Sequence, residues 1–210
     1  MQHLEKYPSG FAVSGETFYV EYKRRLFRWK RGESEWFNTG LIDMAGLPKD
    51  IESLGDNMEN LKLAVSDETV YVGKRDGHLF RSFDGGNTWK DLTSNLPLRF
   101  AHINEIVFAG STAYVATNAG VLTSADGEHW GVITDKTGVN TVIDRMTVAD
   151  TTVYGVGSGG AHLLDKRGEW EKVSPEVPDS IISATINGDR LYVATKQRGM
   201  FHISLENENN

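Results

Sequence analysis

The sequence of 210 residues contains no cysteine. A disulfide framework and a thiolate metal site are both excluded, so the fold must hold through packing. It begins MQHLEKYPSG, without a basic segment leading into an apolar run, and no stretch approaches the ~20 apolar residues of a membrane span. Read as a complete chain, it is expected to be soluble, cytoplasmic and without a membrane partner. The six histidines, His3, His78, His102, His129, His162 and His202, show neither HxH nor HxxxH spacing. No metal site and no cofactor are expected. No phosphate-cradling glycine loop leads into a helix either. GVGSGGA, residues 155–161, falls between two expected strands, where its glycines make a tight hairpin.

Apolar residues make up 39% of the chain and charged residues 24%, a composition that supports a packed core. The net charge of −7 argues against nucleic acid as a partner of the whole surface, while leaving room for a local basic patch. The length fits one domain over residues 1–210, expected to be a monomer.

One phrase recurs five times, with tyrosines at Tyr19, Tyr71, Tyr114, Tyr154 and Tyr192, at steps of 52, 43, 40 and 38 residues. Each unit is nearly free of helical periodicity. Each instead shows short β-branched and aromatic runs broken by Gly, Asp or Asn, such as LKLAV, TVYVG, HLFRS and WKDL. Four antiparallel strands every 40 or so residues describe a β-propeller blade, which buries its faces only against neighbouring blades. The units fall at about residues 10–38, 61–95, 103–135, 144–175 and 181–205. The fifth stops after its third strand, GMFHISL, and HLEKYPSGFA at the start parallels EWEKVSPEVPDSIISA, with Leu4 in the tryptophan position. The expected fold is therefore all-β, a five-bladed propeller closed by a strand at residues 2–7 pairing with residues 199–205. The alternative is an arc of a six- to eight-bladed ring. Residues 38–60 read as a long surface loop between the first two blades.

The tryptophans Trp36, Trp89, Trp130 and Trp170 repeat at 53, 41 and 40 residues. SFDGGNTW carries Ser82, Asp84, Gly86 and Trp89 in the pattern S-x-D-x-G-x-x-W, and SADGEHW carries Ser124, Asp126, Gly127 and Trp130 one residue short. RWKRGESEW and LDKRGEW keep only Gly and Trp. In this the chain resembles the Asp-box (BNR) propellers, which include sialidases, sortilin-type receptor domains and photosystem assembly factors. The residues themselves describe a fastening: Asp84 can accept amides of its own turn, Gly85 and Gly86 permit positive φ, and Trp89 starts the next strand with a large apolar surface. The resemblance implies that such boxes lie away from catalysis.

The turns between second and third strands carry Lys23, Arg24, Arg25, Lys74, Arg75, Lys196 and Arg198, seven of the 22 basic residues. In a closed ring they form a basic arc that would attract an anionic partner. Opposite lie Glu16, Asp67, Glu68, Asp84, Asp126, Glu128 and Asp150. At equivalent positions on the innermost strands stand Gly10, Lys62, Glu105, Arg145 and Ser183, with Lys62, Glu105 and Arg145 expected at a channel mouth, where mixed charges could fix a small polar ligand or pair with one another.

The sialidase resemblance implies an arginine triad, a tyrosine with a glutamate partner and an aspartate acid/base. The sequence lacks the amino-terminal arginine motif and offers one firm inward carboxylate, Glu105, where a glycosidase needs a pair. No catalytic residue is assigned. The leading reading is a non-catalytic binding scaffold that displays its basic loops to an acidic protein segment or other polyanion. The alternative is a glycan-binding or glycoside-hydrolase propeller.

Overall fold

The computed structural model describes residues 10–43, 61–174 and 179–205, and the chain divides into two compact units, residues 1–95 and 96–210. The closing strand expected at residues 2–7 and most of the expected loop 38–60 lie outside the described residues.

In the first unit, one antiparallel sheet runs in the order β1 (Gly10–Ser14), β2 (Thr17–Tyr22), β3 (Arg25–Lys30) and β4 (Phe37–Ile42). The last strand occupies the start of the stretch expected as loop. A second sheet follows from β5 (Lys62–Ser66), β6 (Thr69–Gly73), β7 (Leu79–Ser82) and β8 (Lys90–Asp91), ending in a 3₁₀ turn at Thr93–Asn95. The second unit holds three sheets. These are β9 (Ile103–Ala109) to β12 (Gly131–Ile133) through β10 (Thr112–Thr117) and β11 (Gly120–Ser124), and β13 (Arg145–Ala149) to β16 (Trp170–Ser174) through β14 (Thr152–Gly157) and β15 (Gly160–Leu164). The third has β17 (Ile181–Asn187), β18 (Arg190–Thr195) and β19 (Gly199–Ser204). The five sheets, with four, four, four, four and three strands, match the expected repeat. No α-helix occurs among the described residues.

The repeated tyrosine fixes the register. Tyr19, Tyr71, Tyr114, Tyr154 and Tyr192 each lie on the second strand opposite Ala12, Ala64, Val107, Thr147 and Thr185 of the first. Alternation then sends one set of side chains toward the adjacent sheet. In the first unit Tyr19, Leu26 and Leu41 meet Leu61, Val70 and Val72. In the second, Ala116, Val121 and Ile133 meet Met146, Val153 and Trp170, while Val156 and Ala161 meet Leu191 and Val193. The cores lie between sheets.

The SFDGGNTW turn fastens the two sheets of the first unit. Asp84 accepts from the Asn87 and Thr88 amides at 3.0 and 2.9 Å and from the Thr88 and Ser82 hydroxyls at 2.6 and 2.7 Å. Ser82 Oγ accepts the Gly86 amide at 2.8 Å. The turn is then tied to the first sheet: Arg28 Nη1 donates to Gly85 O at 2.9 Å and Trp89 Nε1 to Thr39 O at 3.1 Å. Gly86 has φ +88°, and a Cβ there would lie 3.1 Å from Thr39 Cγ2. The positive φ favours glycine, and a Cβ would crowd the Thr39 side chain. In the turn of the third sheet, Asp126 accepts the Glu128 and His129 amides, both at 2.8 Å, and Trp130 Nε1 donates to Gly127 O at 3.2 Å. In LDKRGEW, where the sequence pattern keeps only Gly and Trp, Asp165 accepts the Arg167 and Glu169 amides at 2.8 and 2.9 Å.

GVGSGGA departs from the hairpin expectation in part. Gly160, with φ +114°, serves the hairpin, but Gly155 and Gly157 sit inside β14. A Cβ on Gly157 would lie 2.4 Å from the Val142 carbonyl oxygen, and one on Gly155 2.8 Å from Ile143 Cδ1. They clear space for the segment entering β13 and its buried Ile143.

Two outcomes follow. Gly157→Ala should destabilise by about 2 kcal/mol or more through overpacking against backbone, measured by urea unfolding. The hydroxyl of Thr88 and then that of Ser82 lead the hydrogen bonds holding Asp84 well below the usual carboxylate range. Its folded value is depressed, so its stabilisation is present above about pH 4 and lost as pH falls through that lower value. Asp84→Asn should flatten the acid limb of a plot of melting temperature against pH.

Candidate functional site

The connection between β2 and β3 is a two-residue hairpin in which Tyr22 pairs with Arg25. Its tip residues, Lys23 and Arg24, have φ of 49° and 61°. Such a turn follows the twist of the strands but favours Asn-Gly, because a side chain is disfavoured in the left-handed region. Of the four described non-glycine residues with positive φ, Asp67 and Asp150 stand singly, where other hairpins carry Gly15, Gly110 and Gly188; Lys23 and Arg24 are the consecutive pair. Lys23 and Arg25 are exposed, and Lys23 Nζ lies 5.5 Å from the centre of the Tyr22 ring. The Asp43 amide donates to Arg24 O at 2.9 Å, fixing the tip from below.

Arg75 and Lys74, expected beside this hairpin in the basic set, turn inward. Arg75 is 9% exposed and lies between Glu21 and Asp43, at 1% and 0%. Its Nη1 donates to Glu21 Oε1 at 2.8 Å and also to Asp43 Oδ2, Nη2 donates to Glu21 Oε2 at 3.3 Å, and its own amide donates to Asp43 Oδ1 at 3.1 Å. Burial works against the guanidinium charge, but the hydrogen bonds it donates to the Glu21 and Asp43 carboxylates outweigh it and raise the pKa. Glu21 also accepts the Leu61 amide at 3.2 Å. Lys74 Nζ lies 3.5 Å from Asp76 Oδ2 and 5.1 Å from the Phe80 ring centre. Sequence reasoning missed Glu21 and Asp43. A signal existed for Glu21: the equivalent positions two residues after each tyrosine are Gly73, Ala116, Val156 and Ala194, so a carboxylate there demands a partner.

In the second unit Lys196 and Arg198 are exposed on the tip between β18 and β19. Asp179 organises that tip by accepting the Gln197 amide at 2.6 Å.

Residues 47–190 match the family described as the DUF6242 beta propeller domain. The chain belongs to that family. No curated protein matches it. Among solved structures, it is similar to YCF48 bound to D1 peptide, at 14% identity and TM-score 0.62, covering 99% of this chain and 67% of that one. It is similar to PorZ of the Porphyromonas gingivalis type-IX secretion system, at 14% identity and TM-score 0.60, covering 96% of this chain and 25% of that one. A chain of the nidogen/laminin complex matches at 14% identity and TM-score 0.59, covering 90% of this chain and 72% of that one. At these identities the likeness is one of fold.

Within this DUF6242 propeller, the innermost strands carry Gly10, Lys62, Glu105, Arg145 and Ser183 at one register position, opposite Glu21, Gly73, Ala116, Val156 and Ala194. In the second unit two of them tie strands together. Glu105 accepts the Met146 amide, and Arg145 donates from Nε to Ile182 O at 2.7 Å and from Nη1 to Asp144 O at 2.7 Å. Both therefore link β13 to a neighbouring first strand. Lys62 is partly buried. Among the described residues no group of three His, Cys, Asp or Glu side chains could hold a metal ion.

Removing Arg75 leaves two buried carboxylates without their cation. Arg75→Ala should cost about 3–5 kcal/mol of stability, and the triple variant with Glu21→Gln and Asp43→Asn should recover a large part of it, both read from urea unfolding.

Proposed function

We propose that this propeller is a non-catalytic binding module that presents the Tyr22–Arg25 hairpin to an acidic segment of another protein. The observation that carries the reading is the pair Lys23 and Arg24 in left-handed conformation. A non-glycine residue held in a sparsely populated backbone region costs about 1–3 kcal/mol, and such residues gather at sites where function retains them. Here the retained feature is a positive tip: Lys23 and Arg25 point into solvent, Tyr22 supplies an apolar and hydrogen-bonding base, and Asp43 holds the loop. Cations on a fixed turn attract a carboxylate-rich chain with no backbone ordering cost of their own. The solved structures named above lend support, since YCF48 and a chain of the nidogen/laminin complex pair this fold with a peptide and a protein. Lys196 and Arg198 are a second basic point on the other unit.

We also infer that the turns at Ser82–Trp89 and Ser124–Trp130 are Asp-box turns, which extends the resemblance to BNR propellers. What supports this is the shared pattern in which a serine hydroxyl accepts a glycine amide and an aspartate accepts the amides before the tryptophan.

The test is fluorescence anisotropy with a labelled glutamate-rich peptide and, in parallel, a labelled heparin fragment. Peptide affinity should fall several-fold between about 50 and 300 mM salt, and Lys23→Glu/Arg25→Glu should weaken it by about tenfold or more. Lys23→Asn/Arg24→Gly should bind less well yet be about 1 kcal/mol more stable. Unchanged peptide binding in Lys23→Glu/Arg25→Glu would remove the reading. Heparin bound through the same residues while the peptide is not would redirect it to an acidic glycan.

A further inference from the structure

At one register position of the third strands, a histidine stands where the other four sheets carry apolar residues. His162 pairs opposite Gly155, and the equivalent residues are Phe27 opposite Val20, Phe80 opposite Val72, Leu122 opposite Val115 and Phe201 opposite Val193. The repeat asks for a hydrocarbon here. The fourth sheet puts a titratable ring in its place.

One cross-strand row of the fourth sheet runs through Met146, Gly155, His162 and Lys172. Met146 and Trp170 belong to the core shared with Ala116, Val121 and Ile133 of the third sheet, so the row lies on the side that meets that sheet. His162 is 7% exposed, and its ring stands edge-on to that of buried Trp170, with 6.5 Å between centres. Nδ1 of His162 and Nε1 of Trp170 are both buried without a hydrogen-bond partner among the described residues.

A neutral imidazole can stay in such a core at the cost of one unpaired polar atom, whereas an imidazolium needs both N–H groups bonded and its charge matched. The surrounding groups do not supply that match. Lys172, next in the row, is a like charge. Glu105 on β9 already accepts the Met146 amide, Tyr114 on β10 is neutral, and Asp144, after Ile143, lies under the influence of Arg145. Asp135, after β12, favours the charged ring, but its Oδ1 accepts the Thr137 and Val139 amides. Burial, and then Lys172, hold the imidazole pKa below its ordinary value, against a backbone hydrogen bond with Gly160 and the Asp135 carboxylate.

We propose that His162 is an acid-sensitive latch between the third and fourth sheets: neutral, it completes the core they share, and protonated, it drives that contact open. The folded chain holds this proton less readily than the unfolded one. Stability is therefore fully present above about pH 6.5 and is lost as pH falls below it toward the lower folded value.

Urea unfolding of the full chain at about pH 7.5 and about pH 5.5 tests the latch in wild type, His162→Phe and His162→Gln. Over this interval the folded-to-unfolded ratio of wild type should fall up to about tenfold more than that of His162→Phe, the residue type of the other sheets. His162→Gln, polar without titrating, should share the shallower pH dependence. Hydrogen exchange at the lower pH, corrected for intrinsic rate, should quicken in β11 and β15 of wild type and not in β2 or β6. In an imidazole NMR titration of wild type, the His162 signal should remain neutral below about pH 6. This last measurement decides alone if both variants fail to fold. An equal pH dependence in all three proteins, a His162 ring that titrates at or above about pH 6.5 in the folded chain, or exchange that quickens as much in β2 and β6, overturns the proposal.

Discussion

The cores of this chain lie between sheets, and that constraint organises the rest. A four-stranded sheet of short strands has two broad faces and little interior. Its tyrosine and leucine side gains burial only when another sheet of the same kind stands beside it. Tyr19, Leu26 and Leu41 have no partners within their own sheet equal to Leu61, Val70 and Val72 of the next. The contact must be held in register, because a one-residue slip would carry the aromatic row to the wrong side. The devices that stand out, a hydrogen-bonded turn, a buried ion cluster and glycines placed for clearance, each fix one sheet relative to the next.

The turn at Ser82–Trp89 and the cluster around Arg75 do this at opposite ends of the same pair of sheets. At one end Arg28 and Trp89 carry hydrogen bonds across to carbonyl oxygens, Gly85 O and Thr39 O. At the other, Arg75 of the second sheet enters between Glu21 and Asp43 of the first. The neutral Trp89 donor contributes about 1 kcal/mol and the charged Arg28 donor about 1.5–3 kcal/mol, whereas a buried ion pair adds little net stability over an apolar equivalent. What the cluster does contribute is specificity of arrangement. Two carboxylates around one guanidinium tolerate no displacement of the strand ends, and Asp43 passes that rigidity to the hairpin by donating to Arg24 O.

The repeat was legible because its signal is local. Alternation, a tyrosine at a constant place in each second strand and a tryptophan before or at each fourth strand survive in the letters, and the observed register aligns all five innermost positions as the sequence does. Side-chain direction in loops was not legible. Lys74 and Arg75 sit in the turn where they were expected, yet whether a long cation points outward depends on Glu21 and Asp43, distant in sequence. The clearing role of Gly155 and Gly157 likewise depends on Val142 and Ile143, and glycine reads equally well as a hairpin residue. Asp165 was passed over because its glycine lies three residues on instead of two. The separation of five between aspartate and tryptophan, shared by Asp84 with Trp89 and Asp165 with Trp170, was the better guide.

The hairpin at Lys23 and Arg24 runs against the direction of these structural devices. Elsewhere among the described residues, a left-handed position carries glycine, or a single aspartate whose short side chain tolerates it. A glycine at position 24 would relieve the backbone and keep the carbonyl that Asp43 holds. The local backbone rule is therefore broken in one place while its neighbours obey it. Local choices that oppose the fold concentrate where a surface has a second task. The guanidinium buried below cannot share that task, because Glu21 and Asp43 already neutralise it, so the positive field at this end of the sheet comes from the hairpin's own residues.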